Sequence, residues 1–133
     1  MELRWRHSRN ATGESVQLYV RDGDQRRCLV SLQSPHALRW MVPEGALLPM
    51  GVGSAGKILG SGHAGADVDV DESVEEREPG VASVSAAVRG RHGELIAAVS
   101  VSGPVERLSR APRVRFGDQV ASAAREIAAA LSA

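Results

Sequence analysis

The sequence predicts a single α+β domain in which helices flank an antiparallel sheet. Three observations support this prediction. Residues 14–33 and 80–104 each show the alternating pattern of a β-hairpin, a glycine-rich helix start lies near residue 53, and an amphipathic helix occupies 115–132. The length of 133 residues suits one compact domain and predicts a single domain over residues 1–133.

The first hairpin begins with apolar residues at alternate positions, Val16, Leu18 and Val20, and turns at residues 22–24. Its second strand resumes at Cys28, which lies in an apolar run. This single cysteine is therefore expected to be a small buried hydrophobe and not a nucleophile. Residues 37–43 are predicted to form a third short strand, followed by a loop or short extended piece at 44–50.

The second hairpin has strands at about 81–89 and 94–103 around a turn at 90–93. Successive side chains on a strand point to opposite faces of the sheet, so each strand here has an apolar face and a face that carries hydroxyls. These hydroxyls allow two interpretations: cross-strand hydrogen bonding on a half-buried sheet, or a polar lining for a small ligand. The apolar face carries Val84, Ala86, Val88, Ala97, Val99 and Val101, and the hydroxyl face carries Ser83, Ser85, Ser100 and Ser102.

Helices are predicted in three places. Residues 1–12 read as the end of a linking helix that stops at Gly13, and Ser54 is a candidate N-cap for a helix over 55–59. Residues 60–72 are predicted to form a flexible loop with an edge strand in its second half. In the C-terminal helix an apolar stripe is expected to pack on the apolar face of the sheet. The stripe consists of Phe116, Val120, Ala124, Ile127 and Leu131.

Charge and composition restrict the possible partners. The 16 basic and 16 acidic residues balance, and aromatic residues are only 3% of the chain, which argues against direct nucleic-acid binding. No apolar run approaches the roughly 20 residues that cross a membrane, and the basic N-terminus has no apolar signal-peptide core behind it. The expected location is the cytoplasm, with no membrane partner.

The stretch from Gly51 to Lys57 has the G-x-x-x-x-G-K frame of a phosphate-binding loop. Lys57 is followed by Ile58, however, so the hydroxyl ligand for Mg²⁺ is missing, and Pro49 is unsuited to the central strand that should precede the loop. A nucleotide-binding enzyme that uses Lys57 is therefore a disfavoured alternative. A helix N-terminus still favours an anion, either phosphate or carboxylate.

The acidic stretch at 67–72 resembles the start of a calcium loop through Asp67, Asp69 and Asp71, but Glu72 stands where the sharp turn needs glycine. A solvated acidic edge is the favoured interpretation, and no metal site is predicted. No serine or histidine has an activating partner at a recognisable spacing. The sequence therefore predicts no catalytic residue, no cofactor and no enzyme.

Three motifs in the chain, "GSAGK", "EREPGVASVSA" and "AAVSVSGP", occur in the order found in a known family. Over about residues 10–132 the sequence resembles the C-terminal effector-binding domain of IclR-type (isocitrate lyase regulator) transcriptional regulators. The resemblance implies a GAF-like fold, with a curved antiparallel sheet, flanking helices and a ligand cavity on one sheet face. It also implies that the domain senses a small molecule.

The resemblance implies three kinds of ligand contact: backbone amides that bind a carboxylate, apolar walls, and polar side chains. Ser73 stands where many members of the family have an acidic contact, so the ligand is expected to differ. The amide positions are Gly53, Ser54 and Ala55; the wall positions are Trp40 and Leu48; and the polar positions are Ser73, Ser83, Ser100 and Ser102.

The chain departs from the family in two further ways. The winged helix-turn-helix that precedes this domain in the family is not in this sequence, and the segment between Lys57 and Glu75 is shorter than usual. The expected function is sensing of a small carboxylate metabolite, passed on through the geometry of a dimer or tetramer, without direct DNA binding by this chain. The main alternative is a ligand-free dimerisation or interaction module with a degenerate pocket.

Overall fold

One six-stranded antiparallel sheet with helices on both faces forms the domain in the computed structural model, which describes residues 13–33, 42–61 and 69–132. The strand order across the sheet is β3-β2-β1-β6-β5-β4. The strands are β1 (Ser15–Asp22), β2 (Gln25–Leu32), β3 (Leu47–Pro49), β4 (Val70–Val74), β5 (Val81–Arg89) and β6 (Leu95–Pro104). The helices are α1 (Gly53–Ser61), α2 (Val105–Leu108) and α3 (Pro112–Ser132).

Both predicted hairpins are present. In the first, β1 pairs with β2, and Val20 lies opposite Arg27 next to the tight turn at Gly23, whose φ of 66° suits glycine. In the second, β5 pairs with β6, and Val84 lies opposite Val101. The pairing of β1 with β6 joins the two hairpins into one sheet.

The apolar face of the sheet packs against α3, as the alternation predicted. This α3 core contains Val16, Leu18, Ala82, Val84, Ala86, Val88, Ala97, Val99, Val101, Leu108, Phe116, Val120, Ala123, Ala124 and Ile127. The helix begins at Pro112, three residues before the predicted start, because proline suits the first position of a helix. The prediction that Leu131 belongs to the buried stripe is wrong, because Leu131 is 48% exposed and lies beyond Ala128, where the apolar contacts of α3 end.

The opposite face packs against α1 through a smaller group, the α1 core: Tyr19, Cys28, Val42, Ala55, Ile58, Leu59, Ala87 and Ala98. Cys28 is fully buried, as predicted. The edge strand predicted in the second half of 60–72 is present as β4, which begins at Val70 and lies at the edge of the sheet, whereas at the start of that range α1 continues to Ser61.

The predicted linking helix at 1–12, most of the predicted strand at 37–43 and the middle of the predicted loop lie outside the described residues. Within the described ranges, no helix combines the length and the apolar character that a membrane crossing requires.

The contrast between Ile127 and Leu131 gives a test of the packing. Ile127→Ala should lower the free energy of unfolding by about 2–5 kcal/mol, because it removes a side chain that is 1% exposed from the α3 core. Leu131→Ala on the same helix should change it by less than about 0.5 kcal/mol. Urea unfolding followed by circular dichroism measures both, and equal losses for the two variants would contradict this packing.

Candidate functional site

The sheet face beneath α1 is organised in rows of side chains that run across the strands. The strand register places hydroxyls in two neighbouring rows and apolar side chains in the third, which lies beneath α1. The rows are Ser73, Ser83, Ser102 and Ser15; then Ser85, Ser100 and Gln17; then Ala87, Ala98 and Tyr19.

Four serine hydroxyls form a continuous chain of hydrogen bonds between α1 and the sheet. The Oγ atom of Ser54 lies 2.7 Å from Ser83 Oγ and 2.6 Å from Ser85 Oγ. Ser85 Oγ is in turn 2.5 Å from Ser100 Oγ. We call Ser83, Ser54, Ser85 and Ser100 the hydroxyl chain; it ties the first turn of α1 to β5 and β6. Part of the serine face is thus used for internal hydrogen bonding.

Ser54 does not occupy the N-cap position that the sequence suggested. The helix begins one residue earlier, at Gly53, whose φ of 79° is in the left-handed region that favours glycine. Ser54 therefore lies within the first turn, 1% exposed, and its hydroxyl is directed to the sheet.

A cavity of about 30 Å³ lies between the start of α1 and the hydroxyl face of the sheet. A water molecule needs about 10–15 Å³ of such space, so the cavity has room for about two waters or one carboxylate group. It is lined by Tyr19, Arg26, Gly53, Ser54, Ala55, Ser73, Arg77, Val81, Ser83, Ser100 and Ser102.

Most of the residues expected at a ligand site meet at this cavity, namely the amide positions Gly53, Ser54 and Ala55 and the four polar positions Ser73, Ser83, Ser100 and Ser102. Leu48 does not line it; this residue packs at the margin of the α1 core, opposite Arg26 on the neighbouring strand. Trp40 lies outside the described residues.

Arg26 is a cavity residue that the sequence reasoning missed. Its side chain is 3% exposed, its Nη1 donates to the carbonyl of Val52 at 2.8 Å, and its guanidinium lies 4.8 Å from the ring centroid of Tyr19. Its Nε has no hydrogen-bond partner among the described residues. A signal was present, because Arg26 is two residues before Cys28 on one strand, and residues two apart share a face.

The absence of a side chain at Gly56 makes room for this guanidinium. A Cβ atom at Gly56 would lie 2.4 Å from Arg26 Nη1, and one at Gly53 would lie 3.5 Å from Nη2. Two glycines of the stretch that resembled a phosphate-binding loop therefore let a cation lie against the first turn of α1.

The charge at this place is positive, and the guanidinium of Arg26 forms no ion pair with an acidic side chain in the part of the chain that the structure describes. Burial lowers the pKa of Arg26, and nearby Arg77 acts in the same direction, while Tyr19 opposes them. Arg77 also lines the cavity. The α1 N-terminus adds a partial positive charge. A guanidinium remains charged under such conditions, so the cavity is electrostatically suited to an anion.

Lys57, the residue that would contact phosphates in a nucleotide site, is directed elsewhere. Its Nζ donates to the carbonyl of Glu72 at 2.6 Å and pairs with Glu76 at 2.8 Å. Two acidic residues of the calcium-like stretch are also paired: Asp69 lies 2.9 Å from Arg89 Nε, and Asp71 lies 3.7 Å from Lys57 Nζ. In the described ranges no group of three histidine, cysteine or acidic side chains is placed to hold a metal ion.

Comparison with known proteins agrees with the fold and the motifs. Residues 65–129 match the family described as "Bacterial transcriptional regulator IclR C-terminal". Over these residues the chain is similar to IclR C-terminal domains. The family resemblance and the α+β fold with its antiparallel sheet are thereby confirmed. The IclR relatives are transcriptional regulators and not enzymes, which leaves the nucleotide-dependent alternative without support.

Three similar proteins show the extent of the likeness. The HTH-type transcriptional repressor AllR of Escherichia coli is 25% identical over 153 residues, which cover 90% of this chain and 56% of AllR. A protein from Rhodococcus sp. described as an IclR-family transcriptional regulator has a TM-score of 0.86 at 26% identity, covering 96% of this chain and 61% of that one. A C-terminal regulator domain from Vibrio cholerae has a TM-score of 0.81 at 25% identity, covering 93% and 91%.

The matched part of this chain is shorter than the corresponding part of AllR. The chain spans a little over half of AllR, 56%. Within the 153 aligned positions, 90% of 133 residues amounts to about 120, so about 33 positions of AllR have no counterpart here. This difference is consistent with the shortened segment noted between Lys57 and Glu75.

The tyrosine at the cavity gives a test of burial that needs no ligand. Tyr19 is the single tyrosine of the chain, and burial raises its pKa from 10.0 to about 12. The phenolate absorbance of the folded protein should therefore appear near pH 12, and that of the urea-unfolded protein near pH 10. The phenol of the unfolded state loses its proton at a lower pH than the phenol of the folded state. The contribution of protonated Tyr19 to the free energy of unfolding is therefore complete below pH 10 and is lost as pH rises toward 12.

Tyr19→Phe should remove the absorbance change and reduce the alkaline loss of stability. A titration midpoint near 10 in the folded protein would show that Tyr19 is not buried as described.

Proposed function

We propose that this chain is an effector-sensing domain whose cavity binds the carboxylate of a small metabolite. The observation that carries the proposal is the buried guanidinium of Arg26, which lines the cavity and has no acidic partner among the described residues. Burying an uncompensated charge is costly, and a bound anion would offset that cost.

The neighbouring groups suit a carboxylate. The first-turn amides of a helix lack intrahelical partners, and here the residues that carry them, Gly53, Ser54 and Ala55, line the cavity. Arg26 adds a planar donor that can form charge-assisted hydrogen bonds with carboxylate oxygens. Ser73, Ser83, Ser100 and Ser102 contribute neutral polar groups on the opposite wall.

The size of the cavity favours a short acid. About 30 Å³ accommodates a carboxylate group but not a large metabolite. The remainder of the ligand would then lie toward the less buried side of the cavity, where Arg77, Val81 and Ser83 are half-buried. We therefore expect an acid of a few carbons.

A ligand at this place would act on α1, because the hydroxyl chain connects the first turn of α1 to β5 and β6. A ligand that binds one arrangement of this helix better than another shifts the population toward it, by an amount set by the difference in affinity. In a complete cytoplasmic regulator we expect such a shift to alter the geometry of a dimer or tetramer and, through it, DNA binding.

Arg26→Gln should weaken binding of lactate or pyruvate by at least about tenfold, because it removes a charge-assisted contact. Its thermal midpoint should be equal to or higher than that of the parent protein, since an uncompensated buried charge is removed. Isothermal titration calorimetry and thermal unfolding measure the two effects.

Arg27→Gln is the matched control, because Arg27 is the next residue in the sequence but pairs on the surface with Asp22 at 2.8 Å. It should leave carboxylate binding within about twofold of the parent protein. Equal losses in the two variants, or undiminished binding in a folded Arg26→Gln protein, would rule out Arg26 as the carboxylate anchor.

The second candidate is an interaction module without a ligand. The small cavity and the roughly 33 positions missing relative to AllR favour it. Sedimentation velocity should show a dimer or tetramer in both cases, but only the sensor should change its sedimentation or thermal midpoint when short-chain carboxylates are added. Self-association with no calorimetric response to any of them would favour the interaction module.

A further inference from the structure

Resting on the proposed function, we propose that the site prefers a 2-hydroxy acid to the corresponding 2-oxo acid. The reason is the number of hydrogens that the hydroxyl chain can offer to a ligand. Ser83, Ser54, Ser85 and Ser100 are linked in that order by three hydrogen bonds.

Each serine hydroxyl has one hydrogen to donate and two lone pairs that accept. Four hydroxyls therefore supply four hydrogens, and the three links of the hydroxyl chain use three of them. Whatever the direction of each link, one hydrogen remains. The two ends, Ser83 and Ser100, cannot both donate to a ligand while all three links are kept.

Both ends of the hydroxyl chain face the cavity. Ser83 and Ser100 line it together with Ser54, whereas Ser85 does not. The adjacent hydroxyl of Ser102 donates to Oε1 of Gln17 at 3.0 Å, so its hydrogen is also used. Ser73, the remaining serine of this wall, adds one hydroxyl outside the hydroxyl chain. The serine wall thus offers a ligand more lone pairs than hydrogens.

This imbalance distinguishes a hydroxyl from a ketone. With the carboxylate at Arg26 and the amides of α1, the second oxygen of the ligand lies at the serine wall. A ligand hydroxyl can accept the one remaining hydrogen and donate its own to a serine lone pair. A ketone oxygen can only accept, so it makes one bond to the hydroxyl chain or breaks a link to make two.

The difference amounts to about one net hydrogen bond. Lactate, tested as both enantiomers, should therefore bind about three- to tenfold more tightly than pyruvate. Calorimetric titration of the protein with each acid measures the ratio. These two acids share a carbon skeleton and a single negative charge, so their charge interaction with Arg26 is matched.

Ser85→Ala tests the mechanism without touching the cavity lining. It divides the hydroxyl chain into the pair Ser83–Ser54, which has one spare hydrogen, and Ser100, which has another. Two hydrogens can then reach a ketone oxygen, so the lactate preference should disappear or reverse in favour of pyruvate. Ser31→Ala is the control: it removes a hydroxyl that has no partner among the described residues and lies outside the hydroxyl chain, and it should leave the ratio unchanged.

The outcomes separate the two proposals. If neither acid binds, the proposed carboxylate site fails. If both bind and pyruvate binds as tightly as lactate or more tightly, the carboxylate site stands and the preference is overturned. If lactate is preferred but Ser85→Ala keeps the ratio while it remains folded by circular dichroism, the hydroxyl chain is not the cause and the inference is overturned.

Discussion

Arg26 is buried beside the first turn of α1, and the residues around the cavity accommodate its guanidinium. A guanidinium in this place meets the positive end of a helix, and the described residues offer it a carbonyl and an aromatic ring but no carboxylate. Gly53 and Gly56 leave space for it, and a side chain at Gly56 would collide with it. The chain thus tolerates an unfavourable charge at the point where its family resemblance places a ligand carboxylate.

The two faces of the sheet explain how such a polar site coexists with a stable core. Alternation on β1, β5 and β6 sends every second side chain to the α3 core and the others to the α1 side. The α3 core buries large apolar area and does not involve the cavity, so it can carry most of the stability. A one-residue slip in register would exchange the faces and place the serines in the α3 core, which strongly specifies the observed register.

The sequence predicted the hairpins, the hydroxyl face and most of the α3 stripe, because each follows from a local period of side chains. The inward orientation of Arg26 also follows from the two-residue period of a strand, since Arg26 shares a face with buried Cys28. Arginine is usually exposed, however, so the residue type alone predicts the opposite. No periodic pattern in the sequence predicts that Arg77 lies at the cavity. It belongs to the acidic connection between β4 and β5, and the fold of this connection brings it there. Leu131 continues the helical period beyond Ala128, and the sequence does not reveal where packing ends.

The acidic residues of β4 and its flanks show why a neutral chain can still present a positive site. The 16 acidic residues equal the 16 basic ones in number, yet those of β4 and its flanks pair elsewhere: Asp71 and Glu76 with Lys57, and Asp69 with Arg89. The side chains of these pairs are partly exposed, so solvent screens them, and Arg26 remains a buried charge with no ion pair among the described residues. Position relative to the sheet, and not net charge, therefore decides where an anion is favoured. Asp69 and Asp71 of the stretch that resembled a calcium loop contribute to that selection, because they pair with Arg89 and Lys57 and not with Arg26.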